Sequence, residues 1–295
     1  MSPGDTRALA LAVSDPRKSG VPVLFVHGIA HNRSVWEKLA AGLPDAVRPI
    51  SVDLRGHGES PWSIERDYDL RDYALDLSRV LDDLTIERAH VVAHSLGGNA
   101  ATLFASAAPE RVRSLVLVDT GPVLDIGGVA HVADEIESVL RSYTSVAEYR
   151  RRLSLMHPIG DPEILDRLAA TILVERLDGR FELTLDPAVL GSATEGANLA
   201  TLERELWAAL ASLSCPVLLA RGGISAILDE KVAREMVEEV IPDARLVTLS
   251  EAGHSVMIDA AEGLAAALRE FLSLDPAFDT NSGSQVRGRL PGDPG

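Results

Sequence analysis

Ser95 stands in the run Val91-Val92-Ala93-His94-Ser95-Leu96-Gly97-Gly98. The apolar approach reads as a buried strand, and the Ala-rich stretch beyond Gly98 reads as a helix. A serine on such a tight strand-to-helix turn sits on strained backbone, which lifts its hydroxyl above the sheet. The turn brings together the backbones two residues before and two after the serine, so both positions must be small. Ala93 and Gly97 meet that need, although Ala93 departs from the usual Gly-x-Ser-x-Gly, and Gly98 lets the helix pack closely. Four further segments follow predicted strand ends. They are Val26-His27-Gly28-Ile29, the loop Asp53-Leu54-Arg55-Gly56-His57-Gly58-Glu59-Ser60, Gly222-Gly223-Ile224-Ser225, and Glu251-Ala252-Gly253-His254. In an open parallel sheet, ligands bind beyond the carboxyl ends of the strands.

The elements that must position these residues alternate. Val21 to Val26 is a continuous apolar run, as expected of a strand buried on both faces. Helical spacing follows through Val35, Trp36, Leu39 and Ala40, and Val47 to Val52 reads as a second strand. Leu70 to Leu84 is amphipathic at helical intervals. A strand His90 to His94, a helix from Gly97 to Ala108 and a strand Leu115 to Val118 complete a strand–helix alternation that implies a parallel sheet with helices on both faces. From Pro122 to Leu213 strand-like runs nearly vanish. Asp161-Pro162-Glu163 reads as a capped helix start, and Leu199, Leu202, Leu206, Leu210 and Leu213 mark an amphipathic helix that carries Trp207. The alternation returns with a strand Val217 to Ala220, a helix Val232 to Val240, a strand Arg245 to Leu249 and a helix Ala260 to Leu272.

Composition narrows the class. The 295 residues are 46% hydrophobic and 24% charged, as in a globular protein. A net charge of −16 argues against nucleic acid or an anionic membrane as partner. Cys215 is the single cysteine, so neither an intrachain disulfide nor a cysteine metal cluster is expected. No secretory leader pattern and no apolar run near the ~20 residues of a membrane span is read, which places the protein in the cytoplasm by default. Four tyrosines, three tryptophans and five phenylalanines leave any pocket to Leu, Val and Ile, favouring an aliphatic or flexible substrate.

Together these motifs resemble the α/β-hydrolase superfamily, in its lidded, esterase-like branch, over almost the whole chain except the tail. The resemblance implies an α/β-hydrolase fold: a mostly parallel central sheet flanked by helices, with a helical cap (lid) inserted. The core would comprise residues 1–121 and 214–274, the cap 122–213, and a disordered tail 275–295. It further implies Ser95 as nucleophile, His254 as general base, and the backbone N–H groups of Ile29 and Leu96 as oxyanion hole. The order Ser95, acid, His254 is that of the fold.

The acid stays open. Many relatives carry an aspartate in the loop after the strand ending near Ala220, where this chain has Ser225 and Ala226. Asp119 stands in Val118-Asp119-Thr120-Gly121-Pro122, similar to the Val-Asp-x-x-Pro segment of hydrolases that take their acid from the earlier strand. Asp119 is preferred; Asp229 is the alternative, although it also reads as a helix N-cap, and a site without an acid is the third possibility. His27, Gly28, His94 and Trp207 are candidates for substrate contact. His27 and His57 also read as bonding backbone in their turns, and Asp53 and Arg55 as bracing a loop. His131, His157, Tyr143 and Tyr149 could touch substrate, with core or surface roles the simpler reading.

The expected function is a serine hydrolase working through an acyl-enzyme on a small-molecule carboxylic ester, thioester or lactone. Carbon–carbon bond hydrolysis or perhydrolysis by the same triad is an alternative. A small-molecule binding protein on a hydrolase fold is an alternative of another class. No cofactor and no metal is expected, because His27, His31 and His57 lie in separate turns without a His-Glu-x-x-His helix.

Overall fold

The computed structural model describes residues 11–66, 68–123, 140–190 and 199–272. Its centre is a seven-stranded sheet. In chain order the strands are β1 (Val13–Ser14), β2 (Val21–Val26), β3 (Val47–Val52), β4 (Ala89–His94) and β5 (Val112–Val118). After an inserted stretch with a hairpin of β6 (Leu173–Glu175) and β7 (Phe181–Leu183), the sheet resumes with β8 (Val217–Gly222) and β9 (Ala244–Leu249). The spatial order is β1-β3-β2-β4-β5-β8-β9, with every pairing parallel except that of β1 with β3. The central strands are continuous apolar runs because both their faces are covered; Val23 through Val26 and Leu115 through Val118 are all buried. Pro22 and Pro49 are tolerated where only one neighbouring strand is in register, since β4 joins β2 from Val23 and β1 joins β3 at Ser51.

The helices are α1 (Glu37–Ala41), α2 (Leu70–Asp83), α3 (Ser95–Ala107), α4 (Val146–Met156), α5 (Pro162–Thr171), α6 (Leu199–Ala211), α7 (Glu230–Glu235), α8 (Val256–Asp259) and α9 (Ala261–Phe271). Helix α2 buries Tyr73, Ala74, Leu77, Val80 and Leu81 on one stripe, and Asp69 caps its first turn. Helices α2 and α3 pack together, and α6 packs on α3 through its buried face of Leu206, Ala209 and Leu210. No helix among the described residues is long and apolar enough to cross a membrane.

Helices α4, α5 and α6 and the β6–β7 hairpin lie between β5 and β8. Asp161 caps α5 as its sequence predicts, accepting from the N–H groups of Glu163 and Ile164 ahead of Pro162. The hairpin departs from the expected helical insertion. Its signal was Asp178-Gly179 between two short alternating runs, with Gly179 at φ 76°. The two-residue edge strand β1 also went unread, being too short to carry a pattern. Residues 124–139 of the expected cap, His131 among them, lie outside the described residues, as do 191–198 and the 275–295 tail.

Candidate active site

Strand β4 ends at His94, and α3 begins at once with Ser95, which adopts φ 52°. A left-handed backbone costs an L-residue roughly 1–2 kcal/mol, so the turn must be held by its neighbours. It is wedged between two strand ends. A Cβ on Gly97 would lie 2.3 Å from the His27 carbonyl oxygen, and one on Gly98 would lie 2.3 Å from Thr120 Cγ2. The Thr120 hydroxyl donates to the Ser95 carbonyl at 3.0 Å. Ala93 is fully buried in β4.

Three side chains from three strand ends form a line. His254 Nε2 is 3.0 Å from Ser95 Oγ, and His254 Nδ1 is 2.7 Å from Asp119 Oδ2. A carboxylate only accepts, so Nδ1 carries the proton and the Nε2 lone pair faces the serine hydroxyl. Asp119 follows β5 at φ 45°, and its N–H donates to the Ala220 carbonyl of β8 at 2.8 Å. Its fully buried carboxylate accepts from the Gly222 N–H at 2.8 Å and from the Ser225 hydroxyl at 2.5 Å. The loop after β8 thus supplies donors to a carboxylate that comes from β5. Asp229 is exposed and accepts from the Lys231 N–H at 2.7 Å, capping α7. The structure does not bring it to His254, which corrects the alternative acid.

The oxyanion candidates flank the serine. Ile29 sits in a turn closed by the His31 N–H on the Gly28 carbonyl at 3.3 Å, with Ala30 at φ 56°. Leu96 is in the first turn of α3, where backbone N–H groups have no intrahelical acceptor. Neither N–H is taken by another described residue. A Cβ on Gly28 would lie 2.5 Å from His94 Nδ1 and 2.9 Å from Ser95 Cβ. Gly28 is therefore required by the close approach of this turn to the serine, whatever else it touches.

The remaining histidines are mostly braces. His27 is fully buried; the Leu54 N–H donates to its Nε2 at 3.0 Å, so Nδ1–H donates to the Gly28 carbonyl at 2.7 Å. No ring nitrogen is left for a ligand, which corrects its expected substrate contact. Burial pushes its pKa down to about 4. His57, stacked edge-on to His27 at 5.1 Å and bonded to the Arg55 carbonyl at 3.0 Å, is pushed by burial to about 3. His94 donates from Nε2 to the His254 carbonyl at 3.0 Å, and its ring lies 4.6 Å from that of His254. Desolvation holds it neutral, well below the usual histidine range. Its buried Nδ1 faces Gly28 instead of open space, so His94 supports His254 and is not placed as a ligand contact. His31 packs edge-on against His94 at 5.6 Å. Trp207 is half-buried against the core from α6. Tyr143 and Tyr149 are buried core residues.

Asp53 and Arg55 are braces, as read from sequence. Asp53 accepts from the Arg33 N–H at 2.6 Å and the Glu59 N–H at 3.0 Å, while Arg55 grips buried Asp76 with two nitrogens at 2.6 and 2.7 Å. Sequence reading missed Thr120, which holds the serine turn, and placed Gly222 and Ser225 at a strand end without their role as donors to the carboxylate. The signal for Ser225 was its place in the loop where relatives put the acid. Among the described residues no group of three or more His, Cys, Asp or Glu could hold a metal ion.

The parallel sheet, the serine turn and the histidine after the last strand define an enzyme of the alpha/beta hydrolase kind. A family model described as alpha/beta hydrolase fold matches residues 21–261, and the chain belongs to that family. It is 28% identical over 238 residues to 2-(acetamidomethylene)succinate hydrolase of Mesorhizobium japonicum, covering 81% of this chain and 83% of that protein. It is 28% identical over 281 residues to an esterase of Mycobacterium tuberculosis, covering 91% of this chain and 87% of the other. Among solved structures, that of E-2-(acetamidomethylene)succinate hydrolase superposes with a TM-score of 0.81 at 26% identity, covering 90% of this chain and 96% of its own.

Proposed function

We propose that this protein is a serine hydrolase that cleaves a small-molecule carboxylic ester, thioester or lactone through an acyl-enzyme. The observation that carries this reading is the unbroken line from Asp119 through His254 to Ser95. In the first step His254 Nε2 takes the Ser95 proton as Oγ attacks the substrate carbonyl carbon. Negative charge develops on the carbonyl oxygen, and the Ile29 and Leu96 N–H groups stabilise it. The imidazolium is stabilised by Asp119 and then gives its proton to the leaving alcohol or thiol as the carbon–heteroatom bond breaks. Water, deprotonated by His254, attacks the acyl-enzyme; collapse returns the proton to Ser95 and frees the carboxylic acid. No metal or organic cofactor has a role in this sequence.

The described parts of the insertion, residues 140–190 and 199–213, are read as a cap that walls the substrate site. The cations near the strand ends are engaged elsewhere. Arg33 pairs with Asp53 and Glu59, Arg55 with Asp76, and Arg221 donates to the Leu228 carbonyl. With His31 and His94 held well below the usual histidine range by burial, the reading favours an uncharged reacting group. A His254 without its acid would be one route to the binding-protein alternative, and the 2.7 Å contact to Asp119 counts against that route. Carbon–carbon hydrolysis and perhydrolysis use the same line of residues and are separated from ester cleavage only by substrate.

The test is covalent labelling with a fluorophosphonate, together with hydrolysis of p-nitrophenyl acetate. Wild type should label at Ser95 and hydrolyse the ester, and Ser95→Ala should do neither. A folded wild type that fails to label would overturn the assignment.

A further inference from the structure

The inserted hairpin of α4 and α5 touches both loops that the proposed chemistry needs. At the end of α4, His157 Nδ1 lies 3.2 Å from Asp259 Oδ1, with the two side chains 12% and 8% exposed. The other carboxylate oxygen, Oδ2, accepts the Gly253 N–H at 3.0 Å, one residue before His254. The Asp161 N–H, at the start of α5, donates to the Ile258 carbonyl of α8 at 2.9 Å. The base loop is thus fastened to the insertion beside His254.

At the far end of α5, Thr171 Oγ1 accepts from Asn32 Nδ2 at 3.1 Å and shares a hydrogen bond of 2.8 Å with the Ser34 hydroxyl. Asn32 and Ser34 are buried and bonded to each other at 2.6 Å. Asn32 ends the turn that carries Ile29, and its side chain accepts the Ser34 N–H at 3.1 Å, capping the helical turn that follows. The oxyanion turn is fastened to the same hairpin. Thr171 is exposed, but Asn32 and Ser34 beneath it are buried, so a slip at this junction leaves a buried side-chain polar group short of a partner.

We infer that the α4–α5 hairpin is a clamp setting the separation between the general-base loop and the oxyanion turn, with His157, Asp259 and Thr171 as its positioning residues. The inference rests on the hydrolase reading of Ser95 and goes beyond it. A cap is commonly a cover that sets substrate size; this part of it is a structural member of the catalytic site. Transition-state stabilisation depends on both loops at once, so loosening either end lowers turnover more than substrate binding.

The test uses the full chain and four variants: Thr171→Val, which keeps shape and loses the hydroxyl, Thr171→Ser, His157→Leu and His157→Gln. Thr171→Val and His157→Leu should each lower kcat for p-nitrophenyl acetate by about 10- to 100-fold with KM within about twofold. Thr171→Ser should retain activity, and His157→Gln, which keeps a donor, should recover part of it. Exchange of the Gly253 amide should quicken in His157→Leu and stay slow in Thr171→Val. Unchanged kcat and unchanged Gly253 exchange in folded variants would overturn the clamp. If wild type does not label with fluorophosphonate, the hydrolase reading fails separately, and the exchange measurement still decides whether His157 holds the base loop. Should His157→Leu fail to fold, Asp259→Asn replaces it in both measurements.

Discussion

Two histidine–aspartate pairs lie within a few residues of each other and do different things. His254 and Asp119 meet at 2.7 Å, His157 and Asp259 at 3.2 Å, and both carboxylates are almost wholly buried. In each pair the Nδ1 proton goes to an aspartate oxygen. What separates them is the third partner. In both pairs the second carboxylate oxygen accepts a backbone N–H, that of Gly222 for Asp119 and that of Gly253 for Asp259, but among the described residues only His254 turns its far nitrogen to a serine hydroxyl, on a strained turn. An imidazole and a carboxylate become catalytic only when the free end of the pair points at a reacting atom; otherwise the same contact is a fastening.

Asp119→Asn should have the largest effect on this contrast. In the proposed mechanism it removes the charge that stabilises the imidazolium and disturbs the tautomer, so kcat should fall by about 10³- to 10⁴-fold. Asp259→Asn should fall by no more than about 100-fold, and equal losses would erase the distinction between the pairs. Steady-state hydrolysis of p-nitrophenyl acetate measures both. Ser225→Ala removes one donor to the Asp119 carboxylate, leaving the Gly222 N–H, and should lower kcat by about 10-fold. An unchanged rate would make Gly222 sufficient by itself.

The next prediction concerns acid stability. His27 and His57 are depressed to about 4 and about 3 by burial, from an ordinary value of 6.5. The unfolded chain binds protons that the folded chain refuses, so their stabilising effect is complete above pH 6.5 and is lost as pH falls toward 4 and then 3. Each imidazole contributes a slope of up to about 1.4 kcal/mol per pH unit in that window. Urea midpoints at pH 7, 6, 5 and 4 should decline progressively, and His27→Gln should flatten the curve. The smallest effect belongs to Asp229→Ala. It should cost about 1 kcal/mol through the lost α7 cap and leave kcat unchanged; a large loss of activity would return Asp229 to the site.

Much of the fold was legible because its central strands are buried on both faces and so read as unbroken apolar runs. Val47 to Val52 agrees with the observed β3 residue for residue. The β6–β7 hairpin was not legible at the same level: each strand is three residues long, too short for a period. At the site, Ser95 and His254 stand in motifs that are local in sequence. The choice between Asp119 and Asp229 depends on which strand end lies near a histidine 135 residues further on, and no local pattern reports that. Of the two readings of His27, a substrate contact or a bond to backbone in its turn, the second is the one the structure shows. Its partner is the Leu54 N–H on a neighbouring strand end, which makes a motif histidine a hidden support.

Five non-glycine residues among those described have positive φ, and Ala30, Ser95 and Asp119 are three of them. Ser95 and Asp119 both contact His254, and Ala30 lies in the turn that approaches Ser95, so the chain concentrates its backbone tension where its chemistry is proposed. For anyone seeking a hardier version of this protein, that divides the three positions. Ala30 contributes no reacting side chain, and a glycine there would relax the turn while keeping the Ile29 amide in place. Ser95 and Asp119 admit no such relief, because the side chain that the proposed reaction needs is the one that the backbone bears least comfortably.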